Sequence, residues 1–340
     1  MVSSLRKTRA REGDFVETSE HLIFDVKGLI HPPDRIISFL RYVPASEGDR
    51  EKNGVHYRKI YDLERRWDYL RKHYPEYVHF DDFLGRELQS VPLSKLSVHH
   101  EPKNKLKALL KNGGRDQVER DAVELAQYLA GKAQISTDDV GISGSLLVGL
   151  QRPDSDIDPV VYGSTSARRV HETLRSLLSS GGDLKRYDMN GLGRLFRSRS
   201  MESAVKFDEF CIQEHRKVLQ GKYRDRDYFI RCIRDWDEVV ERYGDCRCRG
   251  VGRVKVSAVV SDDEESILTP CVYRVDDVKI LEGSGAAPDR IISFRGRFCE
   301  QARKGEKLIA SGTLEEVTSK NGMYHQLVAG ESPSDFILKI

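Results

Sequence analysis

The segment Gly141-Ile-Ser-Gly-Ser-Leu-Leu-Val-Gly-Leu-Gln-Arg-Pro-Asp-Ser-Asp-Ile-Asp-Pro-Val-Val-Tyr-Gly163 constrains the fold of this chain more than any other stretch. Val140 to Ile142 reads as a short strand, Gly144-Ser145 as the turn into a short helical segment, and Asp156 to Tyr162 as a second strand. Residues two apart on a strand face the same side, so Asp156 and Asp158 project together while Ile157 faces the core. Two carboxylates held this close repel each other unless a cation lies between them. Hard oxygen donors of this kind suit Mg2+ or Mn2+ bridging to substrate phosphates. Gly144 lets the backbone approach a phosphate where a side chain would obstruct it. Ser145 can donate its hydroxyl, and the N–H groups of the following turn point at an anion.

This ordered combination resembles the signature of the DNA polymerase beta-type nucleotidyltransferase superfamily, in which glycine–serine is followed by an aspartate–apolar–aspartate strand. Gly144, Ser145, Gly149, Pro153, Ser155, Asp156, Ile157 and Asp158 sit where minimal nucleotidyltransferases of that superfamily place them. The chain as a whole is similar to a group of predicted archaeal nucleotidyltransferases with extra β-modules. The resemblance implies that Asp156 and Asp158 hold divalent metal, that Gly144 and Ser145 bind the phosphates of a nucleoside triphosphate, and that Mg2+ or Mn2+ is the cofactor. It also implies a third acid on a neighbouring strand, acting as general base. Asp227 is the first choice, because Asp225-Arg-Asp-Tyr-Phe-Ile-Arg-Cys-Ile233 is aromatic and β-branched; Asp188 stands behind it. The chain departs from the pattern at Leu146-Leu147-Val148, where many relatives carry basic or small residues. It departs again at Pro159, which cannot donate a ladder hydrogen bond, so a bend or a sheet edge is expected there.

Around this segment the remaining sequence reads as an α+β protein: a nucleotidyltransferase-type mixed sheet with helices, an N-terminal β-rich module and a C-terminal small β-barrel of OB-like kind. The expected divisions are 1–110, 111–248 and 249–340. Residues 14 to 43 are rich in strand formers, and residues 115 to 132 carry Val118, Ala122, Leu125, Ala126 and Leu129 at helical spacing. Past residue 250, five short strands are expected, near 254–260, 270–280, 289–298, 306–317 and 322–330. One heptapeptide recurs: Pro33-Asp-Arg-Ile-Ile-Ser-Phe39 returns as Pro288-Asp-Arg-Ile-Ile-Ser-Phe294, with Asp25-Val-Lys27 and Asp277-Val-Lys279 upstream of the two copies. A duplicated strand–turn–strand unit explains this echo better than a catalytic motif does.

The net charge of +2 does not by itself demand a polyanionic partner. Locally, six Lys/Arg face two acids between 185 and 206, Asp188 and Glu202, and twelve face seven between 216 and 255. Arg194, Arg197, Lys217, Lys222, Arg224 and Arg231 are therefore candidates to clamp a triphosphate or track RNA, a transfer RNA among the options. Phe294-Arg-Gly-Arg-Phe298 and Phe39-Leu-Arg-Tyr42 interleave basic and aromatic residues on expected strands, a pattern that suits stacking on RNA as well as ordinary packing. Nucleotide transfer to a protein or small molecule, and RNA binding without catalysis, are the competing readings. His56, His99 and His100 show no ligand spacing. Cys246-Arg-Cys248 lacks the two further ligands that zinc would need. No apolar run is long enough to span a bilayer, the opening Met1-Val-Ser-Ser-Leu-Arg-Lys-Thr-Arg9 lacks the apolar core of a secretory signal, and a cytoplasmic setting is expected.

Overall fold

A computed structural model describes residues 9–199 and 205–340; the opening stretch through Thr8 and Glu202, both weighed above, lie outside the described residues. The protein is a mixed α+β structure built on several sheets. Among the described residues, no helix is long and apolar enough to cross a membrane.

The N-terminal part is an eight-stranded sheet centred on the long strand Arg35–Pro44, which pairs with Ile23–Val26, Val55–Lys59 and Arg86–Pro92. The helix Leu63–His73 lies against it, opened by Asp62, whose carboxylate accepts from the Arg65 amide. Phe24, Leu40, Tyr77 and Val91 form the core of this part.

At the centre, three strands run in the order Arg231–Ile233, Pro159–Tyr162 and Val140–Ile142, the first pair parallel and the second antiparallel. Helices Gln117–Ala133 and Ser164–Ser180 pack on one another beside this sheet. The first begins at Asp116, which accepts from the Glu119 amide, and buries the expected stripe of Val118, Ala122, Leu125, Ala126 and Leu129. Each fully buried leucine of that stripe contributes roughly 1.5–3 kcal/mol. The strand expected from Asp156 starts only at Pro159, with Ile157 pairing upstream in an isolated bridge to Tyr228, and Pro159 does not sit at a sheet edge. It opens the middle strand, pairing with Ile142, at the position where a missing N–H disturbs the ladder least.

The C-terminal part holds strands Cys246–Asp262, Cys271–Glu282, Arg290–Ser293, Lys307–Ser319, Gly322–Val328 and Phe336–Lys339. The first five pair in a path that returns on itself, from Cys246–Asp262 through Cys271–Glu282, Arg290–Ser293, Gly322–Val328 and Lys307–Ser319 back to the start. Phe336–Lys339 is a sixth strand not foreseen from sequence. The strand expected over 289–298 stops at Ser293, and Gly296–Phe298 forms a tight turn instead. At this turn Gly296 packs closely on Phe229, whose ring a Cβ would approach to 2.6 Å. One continuous apolar cluster unites the central and C-terminal parts, from Leu106 through Ile142, Ile157 and Tyr228 to Ile291, Leu314 and Ile337.

The two heptapeptides share a burial pattern, although the first pairs only antiparallel and the second has a parallel neighbour. Ile36 enters the N-terminal core and Ile291 the shared one. Ser38 and Ser293 are fully buried, each donating to a backbone carbonyl. Alternation sends Ile37 with Phe39, and Ile292 with Phe294, to the opposite side of each strand. The upstream tripeptides do not match: Val26 pairs with Ser38, whereas Ser293 pairs with Cys271, and Asp277 and Lys279 are exposed.

Candidate active site

The turn after Val140–Ile142 is shaped by the acid it must accommodate. Gly144 adopts φ +65, and a Cβ there would overlap the Asp158 carboxylate. The Ser143 amide donates to the Asp158 carbonyl at 2.8 Å, and the Ser143 hydroxyl donates to the Gly13 carbonyl at 2.6 Å, so the turn is fixed to the acid strand and to the N-terminal part at once. Gly149, at φ +72, ends the short helix Gly144–Val148. Arg226 secures the approach to the acids: it donates to the carbonyls of Pro153 and Ser155 at 2.8 Å and pairs with Asp121 at 2.8 Å.

Asp156 and Asp158 flank Ile157, which is fully buried and bridges in parallel to Tyr228. Both acids line a cavity of about 530 Å3. Among the described residues neither carboxylate has a hydrogen bond or an ion pair. Burial first, and the neighbouring Asp156 second, push the Asp158 carboxyl up to about 7. Arg231, Lys59 and Arg41 pull the other way without cancelling that effect. The surround is basic: Lys27, Arg41, Arg66, Arg194, Arg199, Arg231, Arg295 and Arg297 line the cavity against Asp25, Asp156, Asp158 and Asp227. A second, open basin of about 920 Å3 meets the first along Asp156, Arg194, Ser198 and Asp227, and adds Lys59, Arg50 and Lys222.

Asp227 stands beside the pair. Its strand runs parallel to the acid segment, with the Ile157 amide donating to the Asp227 carbonyl at 2.9 Å and the Phe229 amide to the Ile157 carbonyl at 2.9 Å. Asp227 Oδ1 lies 3.1 Å from Lys222 Nζ but makes no aligned hydrogen bond. Asp188 does something different. It is exposed and accepts from the Gly191 amide at 2.6 Å, near the start of the helix Met189–Arg199. The phosphate contacts expected of Gly144 and Ser145 are not seen: Gly144 faces the Asp158 carboxylate, Ser145 is buried with its hydroxyl unpartnered among the described residues, and neither lines the cavities.

Several of the basic candidates hold the fold together. Lys217 is buried against Glu214 at 2.7 Å, Arg224 pairs with Glu124 at 2.6 Å, and Arg231 pairs with Glu12 and lies 3.6 Å from Asp25. Lys222 is taken up by Asp227. Arg194 reaches the cavity, whereas Arg197 does not line it. His99 pairs with Asp14 at 2.8 Å and His100 with Glu17 at 3.2 Å, both within the N-terminal sheet. All six cysteines carry free thiols.

The sequence pattern missed the groups that enter from the N-terminal sheet: Asp25, Lys27, Arg41 and Lys59. They lie about a hundred residues or more from the acids, and no local spacing links them. Burial and the nearby Arg41 lower the Lys59 ammonium to about 8, against the pull of Asp156 and Asp158. Asp25 is held at about 2: burial opposes its charge, but Lys27, Arg231 and Arg41 outweigh that.

Whether the donors fit a divalent ion turns on their chemistry. Among the described residues, no group of three or more His, Cys, Asp or Glu is arranged to hold a metal. Two partnerless carboxylates remain, all oxygen, opening into a basic cavity. That set suits Mg2+ or Mn2+, which commonly take one or two protein carboxylates and complete their shell from phosphates and water.

The chain has a full-length relative. It is 28% identical over 350 aligned positions to an uncharacterized protein of the archaeon Methanocaldococcus jannaschii, covering 96% of this chain and 97% of that one. No protein-family model matches the chain. No solved structure matches it either.

Proposed function

We propose that this protein is a metal-dependent nucleotidyltransferase, moving a nucleoside monophosphate from a nucleoside triphosphate to an acceptor hydroxyl. One observation carries the reading: Asp156 and Asp158 have no partner among the described residues, in a cavity where basic groups outnumber acids two to one, backed by a glycine whose missing side chain makes room for Asp158. An anion drawn in by the arginines meets two carboxylates that only a cation can reconcile with it.

Asp156 and Asp158 would hold Mg2+ or Mn2+, which neutralises charge on the triphosphate and lowers the pKa of the attacking hydroxyl. Arg41, Lys59 and Arg194 attract and orient the phosphates. Gly144 serves the site by leaving room for the Asp158 carboxylate, and phosphate binding falls to the basic groups that line the cavity. The acceptor oxygen bonds to the α-phosphorus as the bond from that phosphorus to the bridging oxygen breaks, and pyrophosphate leaves. Asp227, on the adjacent strand, takes the hydroxyl proton.

An RNA acceptor is a second reading, favoured by the C-terminal strand circuit. Its order, with a parallel pairing between Arg290–Ser293 and Gly322–Val328, matches an OB-like barrel of the kind that binds oligonucleotides. The test is incubation with α-labelled nucleoside triphosphates, Mg2+ or Mn2+, and RNA, a protein extract or small alcohols. Metal-dependent label on an acceptor, lost in a folded Asp156→Ala/Asp158→Ala variant, is expected. The reading fails if nothing is labelled and that variant binds RNA as the wild type does.

A further inference from the structure

A second cavity, of about 330 Å3, adjoins the one that holds the aspartates, and the two share Lys27, Phe39, Phe294 and Arg295. Its character is different. The N-terminal sheet supplies Ile37, Phe39 and Leu88, and the C-terminal sheet supplies Ile292, Phe294 and Val317. These are the outward faces of the twin heptapeptide strands and their neighbours. Each heptapeptide gives one isoleucine to a core and the next isoleucine, with its phenylalanine, to this shared space. Phe294 packs on Gly28, where a Cβ would sit 3.5 Å from its ring, and Lys27 lies 5.8 Å from the centre of the Phe39 ring. Both phenylalanines therefore border the Lys27-Gly28 turn at the junction of the two cavities. Several polar groups of the apolar cavity are already engaged: Arg290 bonds Gln326 and the Tyr324 hydroxyl, and Arg86 pairs with Glu315 and Glu331.

We propose that this apolar cavity binds the body of the acceptor: a small molecule with a compact apolar or aromatic portion and one hydroxyl, which passes between Phe39 and Phe294 to reach the aspartates. This rests on the transferase reading and names its substrate class. The volume lies in the range of small-molecule pockets lined by apolar side chains. A nucleobase is the poorer occupant, because most of its polar edge would meet the apolar walls given by Ile37, Leu88, Ile292 and Val317. In the transfer step the hydroxyl oxygen bonds to the α-phosphorus, the bond to the bridging oxygen breaks, pyrophosphate departs, and the hydroxyl proton goes to Asp227. The product is a phosphodiester of the apolar alcohol.

The experiment measures binding apart from catalysis. The full chain is titrated with anilinonaphthalene sulfonate, and the bound dye is then displaced with 2-(2-naphthyl)ethanol, with glycerol, with adenosine and with a short RNA. The naphthyl alcohol should displace the dye and glycerol should not. Phe83 also lines the cavity; Phe83→Ala, which trims that wall, and Phe294→Asp, which charges the junction, should each weaken that displacement by at least about tenfold, with circular dichroism confirming that both fold. With labelled ATP and Mg2+, the naphthyl alcohol should become labelled. Displacement by adenosine or RNA but not by the naphthyl alcohol overturns the proposal in favour of a nucleobase site. Label on RNA with no binding of the alcohol overturns it while leaving the transferase reading intact. Alcohol binding without label on any acceptor overturns the transferase reading and leaves an apolar ligand site.

Discussion

Asp25 and Asp158 line the same cavity and begin from the same handicap, since burial is the largest influence on each and disfavours the charged form. They end at opposite extremes, Asp25 at about 2 and Asp158 at about 7. The difference lies in company. Asp25 has Lys27 at 2.8 Å and Arg231 at 3.6 Å, within a network that also binds Glu12. Asp158 has Asp156 beside it and, among the described residues, no cation within ion-pair distance. Arg231 acts on both acids but is committed to Glu12 and Asp25. The protein thus spends its buried cations on the acid that holds two parts together and leaves the other pair unneutralised. An unneutralised pair is costly in a scaffold and useful in a site that receives a cation.

The strongest way to break this contrast is to remove the company of Asp25. Arg231→Met leaves Lys27 alone to neutralise both Glu12 and Asp25, and a loss of about 3 kcal/mol of stability is expected in denaturant titration. An unchanged midpoint would mean that the network adds nothing net. Asp158→Asn attacks the other side. Nucleotide transfer should fall about 10²–10³-fold, the size of effect seen when one preorganised electrostatic contact is lost, while the apo protein gains thermal stability.

That gain should depend on pH. In the folded chain Asp158 keeps its proton up to about pH 7, against an ordinary value of 3.8. Its contribution is therefore fully present below about pH 4 and lost as pH rises toward 7. Asp25, with its carboxyl lowered, contributes in the opposite sense: the stability is present above about pH 4 and lost as pH falls through about 2. Calorimetry from pH 4 to 8 should show Asp158→Asn overtaking the wild type toward pH 8, and added Mg2+ should narrow the gap. Parallel Tm curves would refute the assignment. The smallest effect is expected at Asp188→Ala, which removes one helix-start hydrogen bond at a cost of roughly 1 kcal/mol. Transfer activity should survive it; its loss would move the third acid from Asp227 to Asp188.

What the sequence disclosed follows from distance along the chain. The turn, the strand Val140–Ile142 and the pairing of Asp156 with Asp158 all fall within about twenty residues, and the period of two that sets them is local. Asp227 was reachable because its strand formers are contiguous. Asp25, Arg41 and Lys59 were not, since only the packing of the N-terminal sheet against the Gly144 turn brings them in. Phe294-Arg-Gly-Arg-Phe298 misled for a related reason: its alternation mimics a strand, while the close contact at its turn, Gly296 on Phe229, spans 67 positions. The heptapeptide echo was legible as a repeated strand, but the upstream tripeptides do not occupy matching places and the shared cavity was not legible.

Gly144 and Asp158 have a consequence for how sequences of this kind can vary. Because a side chain at 144 would occupy the space of the carboxylate, the two positions are not independent, and their substitutions should show strong epistasis. Alanine at 144 should be severe beside aspartate. In an Asp158→Ala background it should cost only about 1 kcal/mol, the residual penalty of a left-handed backbone without glycine. A library selected for folding alone would then drift toward filling the turn and erasing the acid together, and only selection for the chemistry would keep both.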